Sequence, residues 1–540
     1  MWREINMELF YYWIDERTAY FKEIGMNFGR QIKATYEPTK KKLTIEKNME
    51  YIEGLFDSDT SRSGKLTHVT GVIGKNGAGK TTLFEMLRGL FWDGGIYAKK
   101  PFKRIFIVRD ISNEPNKYQV VFHKDLIGLE GESFNIVFGK EVDKEEFKII
   151  PYDEKSETIE GRNKMQQIAV TKGVGEMSCV YYANQFDSNL DEYITEEDRN
   201  YYDISTKGII RQIEEGKYRN QSAAGIKSKS YPNMTLKYPL PISRQYNIAT
   251  IENKLAFFQD IQLRDRIKKE FDVSYPSQIG INLFDIDAYG CGMKPGMLTL
   301  GSRYTLRMNH AGISEFEKYV YNKVNYIGND QKLTLKKTYL IRILDAYFQD
   351  IENIIGANNV ETLVDVLRLC DDEKTLEELL RDFSEAIIKS EKLEVHIERQ
   401  DIKGITESYI EFIQYFVDDF LNNNDVFEVS EGVIKAEQIG EGSVRVISEE
   451  VCLLIINLTD RGMAVASELV RRYKQLCTRN NIFAFSLTGM SSGEDSVMEL
   501  FSRFYTLSEK IQTQDMVVLM DEGDTYFHPE WQRKFVKLLL

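Results

Sequence analysis

The stretch Gly74-Lys75-Asn76-Gly77-Ala78-Gly79-Lys80-Thr81 has the form G-x-x-x-x-G-K-[ST]. A β-favouring run at residues 68–73 precedes it. The residues after it repeat apolar side chains at helical spacing, namely Leu83, Leu87, Leu90 and Phe91. A strand, a glycine loop and a helix in this order are the context in which the pattern forms a phosphate-binding P-loop. The sequence therefore predicts an α/β fold that binds a nucleoside triphosphate.

The residue types of this loop match the chemistry of a triphosphate. Glycines let backbone N–H groups surround the phosphates at the start of a helix, Lys80 neutralises the β- and γ-phosphates, and the Thr81 hydroxyl ligates Mg²⁺. The predicted nucleotide contacts here are Gly74, Lys75, Asn76, Gly77, Ala78, Gly79, Lys80, Thr81 and Thr82. We expect ATP and Mg²⁺ as cofactors.

A second motif lies near the end of the chain. Residues 516–520 form a continuous apolar run, Met-Val-Val-Leu-Met, which is typical of a strand buried on both faces. The run ends in Asp521 and Glu522. This is the form of a Walker B strand, in which Asp521 holds Mg²⁺ or its water and Glu522 polarises the water that attacks the γ-phosphate.

A third motif, Met490-Ser491-Ser492-Gly493-Glu494, comes before an apolar pattern at helical spacing. A small turn that opens a helix can receive a phosphate through the Ser491 hydroxyl and the free N–H groups of the first helical turn. A plain helix cap with a following acid is the alternative interpretation.

The P-loop, the S-S-G-E signature and the sequence VVLMDEGDTYFHPEWQ at residues 517–532 together resemble the ABC-type ATPases. The resemblance is to the SMC, RecF and OLD-nuclease branch, and within it to ATPase subunits of bacterial anti-phage defence systems such as the Septu ATPase. It implies an α/β head with a mixed sheet and an antiparallel β lobe. It also implies that two protomers enclose two ATP molecules, with one protomer's Ser491, Ser492, Gly493 and Glu494 against the nucleotide of its partner.

The resemblance suggests roles for two further residues. The family has a glutamine loop after a strand downstream of the P-loop, and Gln185 after the run at residues 180–184 is the candidate, with Mg²⁺ and the attacking water as its contacts. His528 lies in the segment that crosses the dimer interface in the family. It could alternatively cap the helix that Pro529 begins, because proline favours the first helical turn.

The pattern along the chain predicts three domains. Residues 1–245 form the N-terminal half of the head, with strands at residues 9–14, 104–108, 119–122, 134–138 and 147–150. Residues 246–425 form a mainly helical insertion, including helices at residues 333–355 and 361–394, without the sustained heptads of a coiled coil. Residues 426–540 form the C-terminal half of the head, apparently truncated inside the helix after Walker B.

Composition restricts the class of protein. The chain has 540 residues, 42% of them hydrophobic, and no run long enough to span a membrane or form a signal peptide. We expect a cytoplasmic protein without membrane contact. The five cysteines form no C-x-x-C pair, so neither a zinc site nor a disulfide framework is indicated. A net charge of −14 argues against indiscriminate binding of nucleic acid.

Three functions remain open at this stage. The first is an ATPase that forms a homodimer or higher oligomer through its heads and regulates a partner effector, such as a nuclease in anti-phage defence. The second is a DNA-repair or chromosome-maintenance ATPase, for which residues 99–104 and 217–237 supply candidate basic contacts to DNA. The third is a nucleotide-dependent scaffold with little hydrolysis.

Overall fold

The structure, a computed structural model, divides into two compact units, Met1–Gly208 with Leu507–Leu540 (unit 1) and Ile209–Thr506 (unit 2). The residues that it describes are 7–18, 21–52, 70–72, 80, 83–84, 87, 103–110, 117–152, 178–184, 201–214, 226–227, 235–236, 242–283, 297–299, 311–325, 331–354, 369–390, 399–422, 427–429, 435–438, 444–447, 452–476, 482–508, 516–521 and 527–539. All structural statements below refer to these residues.

Unit 1 consists mainly of β-sheet. Its strands are β1 (Met7–Thr18), β2 (Phe21–Asn27), β3 (Ile32–Glu37), β4 (Lys42–Lys47), β5 (Arg104–Asp110), β6 (Tyr118–His123), β7 (Leu129–Glu130), β8 (Ser133–Phe134), β9 (Ile136–Phe138), β10 (Phe147–Tyr152), β11 (Ser178–Ala183) and β12 (Tyr201–Asp203). Strand β22 (Met516–Asp521) and helix α10 (Pro529–Leu539) also belong to it. The strands predicted at residues 9–14, 104–108, 119–122 and 147–150 are confirmed as β1, β5, β6 and β10. The prediction of one strand at residues 134–138 was wrong, because these residues are divided between β8 and β9, which pair with different strands. Of the strand predicted at residues 68–73, the described residues 70–72 are not in a strand.

The largest sheet of unit 1 has the strand order β10-β6-β5-β1-β2. Because side chains alternate along a strand, its two faces carry different apolar sets. Phe10, Trp13 and Ile107 pack with the smaller sheet β3-β4-β9. Tyr12 and Phe106 belong to a second core on the opposite face.

The helix after the P-loop contributes to this second core. Leu83 and Leu87, one helical turn apart, are 6% and 3% exposed and belong to the same cluster as Tyr181 and Leu519. Burying a leucine side chain contributes about 1.5–3 kcal/mol. The apolar face that the sequence predicted for this helix is therefore what fixes it against the sheets of unit 1.

A parallel sheet with the order β12-β11-β22 brings the ends of three strands together. The expected Walker B strand is present as β22, and its Asp521 lies opposite Ala183 of β11. The expectation that this strand is buried on both faces was wrong, because Met516 and Val518 are 46% and 38% exposed. An apolar run allows a strand to be buried on both faces. Whether both faces are buried depends on the elements that pack against the strand.

Unit 2 contains most of the described helices. They are α2 (Ile242–Gln259), α3 (Ile261–Phe271), α4 (Ala311–Asn325), α5 (Gln331–Ile354), α6 (Leu376–Lys389), α7 (Arg399–Ile413), α8 (Asp460–Gln475) and α9 (Ser492–Ser508), whose last two residues belong to unit 1. Helix α1 (Thr206–Glu214) begins in unit 1 and ends in unit 2. A π-helical segment, Gln414–Phe420, continues α7.

The strands of unit 2 are β13 (Ile226–Lys227), β14 (Thr235–Leu236), β15 (Gln278–Leu283), β16 (Met297–Thr299), β17 (Phe427–Val429), β18 (Lys435–Gln438), β19 (Val444–Ile447), β20 (Cys452–Asn457) and β21 (Phe483–Thr488). Four of them form an antiparallel sheet in the order β17-β20-β15-β21. Strand β15 lies inside the region predicted as mainly helical, and it pairs with strands far along the chain. Local periodicity did not show this pairing.

Two helices were predicted within residues 246–425, and the structure agrees with one of them more closely than with the other. Helix α5 matches the prediction at residues 333–355. The described part of the helix predicted at residues 361–394 begins only at Leu376, because Thr375 and Glu378 form a capping box there. Among the described residues, no helix is both long enough and apolar enough to cross a membrane.

Candidate functional site

Lys80 is the described residue of the P-loop motif, and it is helical, as are the described residues Leu83 and Leu87 that follow it. Its position after the loop is the one that a phosphate-binding lysine requires. The other predicted contacts of this motif lie outside the described residues, namely Gly74, Lys75, Asn76, Gly77, Ala78, Gly79, Thr81 and Thr82. Their roles stay predictions.

Asp521 is the last residue of β22, and it is 9% exposed. Asp521 lies two residues after Leu519 and so on the same face of the strand, and Leu519 packs in the same core as Leu83 and Leu87. Asp521 therefore lies at the carboxyl edge of the parallel sheet and on the side where these two leucines pack. Glu522, the predicted catalytic residue, directly follows Asp521 and lies outside the described residues.

Strand β11 ends beside β22, with the two strands parallel and in register from Ser178 opposite Met516 to Ala183 opposite Asp521. Carboxyl ends of neighbouring parallel strands lie at one edge of a sheet, where ligands of such sheets bind. The strand expected before Gln185 is present as β11, and the structure adds that it pairs with β22. Gln185 itself lies outside the described residues, so its contact with Mg²⁺ stays a prediction.

A turn that sequence reasoning missed holds the end of β11. The Thr206 hydroxyl donates a hydrogen bond to the Asn184 carbonyl oxygen (3.0 Å), next to Gln185. Asp203 Oδ1 accepts from the N–H and the hydroxyl of Ser205 (3.0 and 2.5 Å), and Ser205 Oγ accepts from the N–H of Gly208. The pattern Asp-x-Ser-Thr-x-Gly at residues 203–208 was the available signal, since Asp and Ser bond nearby backbone groups at helix starts.

Gly208 is a requirement of this turn. A Cβ atom at this position would lie 2.5 Å from the Asp203 carbonyl oxygen and 2.4 Å from its carboxylate. Only glycine allows the first turn of α1 to approach Asp203 so closely. The turn consequently fixes the backbone that leads into Gln185.

The signature residues lie at the N-terminus of α9 in unit 2, as the sequence predicted. Ser491 precedes the helix, and Ser491 and Ser492 are exposed. Gly489 supplies the turn from β21, with a φ of +94° that residues with side chains rarely adopt. By helix geometry, the N–H groups of Ser492 and Gly493 have no acceptor within α9, which leaves them directed at an approaching anion.

Ser491 and Glu494 also form the helix cap that the sequence offered as the alternative. Ser491 Oγ accepts from the Glu494 N–H (3.3 Å), and Glu494 Oε2 accepts from the Ser491 N–H (2.7 Å). Glu494 Oε1 accepts from the N–H of Ser274, which follows α3 (2.6 Å). The cap and a phosphate-binding role are compatible, because the cap leaves the N–H groups of Ser492 and Gly493 unused.

The surroundings of Glu494 favour its charged form. Partial burial raises the pKa of its carboxyl, but the hydrogen bonds from Ser491 and Ser274 outweigh this effect, and the net shift is downward. Both carboxylate oxygens of Glu494 are therefore engaged within unit 2. Direct contact of Glu494 with nucleotide stays a prediction.

His528 lies at the start of α10. Its Nδ1 accepts from the Glu530 N–H (3.4 Å), and its carbonyl oxygen accepts from the Gln532 N–H (3.0 Å). Pro529 is the first residue of the helix. These bonds give His528 the capping role that the sequence offered as one of two alternatives.

The donor set of unit 1 fits a magnesium nucleotide. A buried carboxylate at the end of β22 and the hydroxyl expected from Thr81 are oxygen ligands, which Mg²⁺ prefers. Lys80 supplies the charge that a triphosphate requires. Bound ATP would supply the phosphoanhydride bond, and Asp521 and Lys80 would orient it. The described residues contain no separate group of three or more His, Cys, Asp or Glu side chains arranged to hold a metal ion.

Two residues of the first predicted basic stretch have local roles. Lys103 pairs with Asp125 at 2.7 Å, and Arg104 is 8% exposed within β5. Residues 99–102, and most of the stretch at residues 217–237, lie outside the described residues. DNA contact by these stretches stays a prediction.

Comparison with known proteins adds one finding. The family model described as ABC transporter matches residues 59–178, the range that contains the P-loop. Together with the site geometry, this match supports an ABC-type P-loop ATPase, with nucleotide binding and ATPase activity. Neither the curated proteins nor the solved structures gave a match.

Proposed function

We propose that the chain is a cytoplasmic ATP-binding and ATP-hydrolysing subunit of ABC type that dimerises around nucleotide. One observation carries the ATPase part. Leu83 and Leu87, on the helical turns that follow Lys80, pack in the same core as β22, the strand that ends in Asp521. Lysine and acidic groups of the two motifs thus belong to one folded unit, as hydrolysis of a magnesium nucleotide requires.

The proposed chemistry assigns one task to each residue. Lys80 binds the β- and γ-phosphates. Thr81 and Asp521 hold Mg²⁺, and Gln185 contacts both Mg²⁺ and the attacking water. Glu522 accepts the proton of that water as it attacks the γ-phosphorus. Parallel pairing of β11 with β22 supports this assignment, because Gln185 and Glu522 follow neighbouring strand ends.

The dimer part of the proposal is supported by the N-terminus of α9. Ser491 and Ser492 are exposed, and the first turn of the helix has N–H groups that can bind a phosphate. We propose that this turn completes the nucleotide site of a second protomer. Such an arrangement makes hydrolysis depend on contact between two chains.

The finer part concerns the biological output. We propose that the nucleotide state of the dimer regulates a partner effector, a nuclease in anti-phage defence. This proposal is supported by the resemblance to ATPase subunits of anti-phage defence systems, both in the order of the motifs and in the residues that follow Walker B. A DNA-clamping ATPase is the competing outcome, and strong salt-dependent binding of duplex DNA by the purified chain would favour it.

Two variants of the purified chain test the proposal. Glu522→Gln keeps size and hydrogen bonding but cannot accept a proton, so ATP should still bind while kcat falls about 10²- to 10⁴-fold. Lys80→Ala should lose ATP binding as well. Phosphate release and equilibrium binding of ATP separate the two effects, and circular dichroism checks that each variant is folded.

Two results would count against the proposal. Wild-type kcat in Glu522→Gln would show that another residue is the base. A wild-type chain that binds ATP without turnover would establish the scaffold function instead. In cells that carry the gene with its neighbours, both variants should abolish survival of phage infection, and unchanged survival would refute the defence role.

A further inference from the structure

A polar seam joins α2 to the signature helix α9 within unit 2. Asp495, Glu499 and Arg503 are spaced four residues apart and lie on one face of α9. Lys254 Nζ of α2 donates to Asp495 Oδ1 at 2.6 Å. The hydroxyl of Tyr246, two turns earlier on α2, donates to Glu499 Oε1 at 2.7 Å and accepts from Arg503 at 2.6 Å, and Arg503 also pairs with Glu499.

The pair at the signature end of this seam is asymmetric. The Lys254 side chain is 5% exposed, whereas the Asp495 side chain is 44% exposed. Burying an ammonium group is costly, and an apolar residue would fill the same space without that cost. Burial raises the pKa of the nearby Glu499 carboxyl, but the charges of Arg503 and Lys254 lower it, and the net shift is downward. The Lys254 charge therefore acts on two acids of α9, and its direct hydrogen bond is to Asp495.

The position of Asp495 suggests what the charge does. Asp495 lies in the first turn of α9, directly after Glu494 and four residues after Ser491. Two unpaired carboxylates in that turn would repel a phosphate approaching the helix N-terminus. Glu494 is bound by two backbone N–H groups, and Asp495 is bound by Lys254. The turn can then offer its own N–H groups to an anion.

We propose that Lys254 is a positioning residue for the signature. It holds the first turn of α9 through Asp495 and neutralises that carboxylate, so that the turn accepts the γ-phosphate of an ATP molecule bound to a second protomer. This inference rests on the proposed function, and it assigns Lys254 no contact with nucleotide. It predicts an effect on turnover and on nucleotide-driven dimerisation rather than on binding of ATP to the P-loop.

Lys254→Met tests the inference because methionine keeps the length of the side chain and removes its charge. We expect the Kd for ATP to stay within about twofold, while kcat and ATP-driven dimerisation fall about tenfold. The double variant Lys254→Met/Asp495→Asn removes both charges and should recover most of the lost kcat. Removing both charges would also relieve a merely structural ion pair, so thermal unfolding is measured on the same variants. A structural role predicts that kcat falls and recovers together with the melting temperature, whereas the proposed role predicts a loss of kcat at an unchanged melting temperature.

Lys474→Met is the matched control. It removes the ion pair between Lys474 of α8 and Glu252, which lies two residues from Lys254 on α2. We expect wild-type kcat in this variant, since the pair joins α2 to a helix other than α9. Should Lys254→Met fail to fold, Lys254→Gln replaces it, and its kcat is compared with that of the double variant Lys254→Gln/Asp495→Asn.

The outcomes separate this inference from the proposed function. Wild-type kcat in Lys254→Met overturns the inference, and so does a double variant that is as slow as the single one. Absence of hydrolysis by the wild-type chain overturns the proposed function, and the inference falls with it. Slow turnover with unchanged ATP affinity, rescued in the double variant, supports both.

Discussion

The Glu494 carboxylate holds the first turn of α9 from two sides, through the N–H groups of Ser491 and Ser274. The capping box with Ser491 was readable from the sequence, because the two residues are three positions apart. The bond to Ser274 was not, since that residue lies after α3 and reaches Glu494 only through tertiary packing. The acid of the signature motif therefore has a structural role that the motif itself does not reveal.

Replacing Glu494 with Gln should weaken this anchor. A carboxylate accepts stronger hydrogen bonds from N–H groups than an amide oxygen does, and loss of about 1 kcal/mol should speed hydrogen exchange at Ser491 and Ser274 about fivefold at pH 7. The amide of Gly462, which Thr459 caps in α8, should exchange unchanged and is the internal control. Equal exchange rates in wild type and variant would contradict the assigned anchor.

The same variant has a predicted pH dependence. The pKa of Glu494 is lowered from its ordinary value of 4.5, so its stabilising bonds are fully present above that value. They are lost as the pH falls through the lowered pKa of the folded state. The difference in exchange between wild type and Glu494→Gln should therefore shrink below pH 4.5 and then disappear.

At the scale of elements, the sequence predicted the strands β1, β5, β6, β10, β11 and β22 of unit 1 and the helices at the P-loop and the signature. Alternating or helical periodicity is a local property, and these elements follow it. The pairing of β15 with β20 and β21, and the exposed face of β22, depend on neighbours that are distant in sequence. The turn from Asp203 to Gly208 has a local signal in the sequence, but its hydrogen bond to Asn184 is tertiary and has none.

Thr206→Val tests whether this turn serves the nucleotide site. Valine keeps the shape of threonine but cannot donate a hydrogen bond to the Asn184 carbonyl oxygen. Loss of this hydrogen bond should release the backbone before Gln185. We expect kcat to fall about three- to tenfold with the Kd for ATP unchanged, at an energetic cost of about 1 kcal/mol. Thr206→Ser keeps the donor and should retain wild-type kcat. Equal kcat in the Val and Ser variants would show that this hydrogen bond does not serve the nucleotide site.

At the scale of the whole chain, the predicted site is divided between the units. Unit 1 contains Lys80 and Asp521, and unit 2 contains Ser491. The order of the motifs was readable from the sequence, but the two boundaries between the units were not, because they fall inside the helices α1 and α9. The three domains expected at residues 1–245, 246–425 and 426–540 stay a prediction.

The central claim is that the P-loop of one protomer and the signature of another form one site. Ser491→Arg adds bulk and charge at the start of α9, so it should block hydrolysis while each protomer still binds ATP. Lys80→Ala should block hydrolysis by preventing that binding. A mixed dimer of the two variants keeps one intact site, formed by Lys80 of the first chain and Ser491 of the second.

Phosphate release by the mixture of these two variants is the most direct measurement. Random pairing makes about half of the dimers mixed, each with one of its two sites intact, so we predict about a quarter of the wild-type rate where each variant alone is inactive. Native mass spectrometry confirms that mixed dimers form. A Ser491→Arg protein that hydrolyses ATP at the wild-type rate on its own would contradict the shared site.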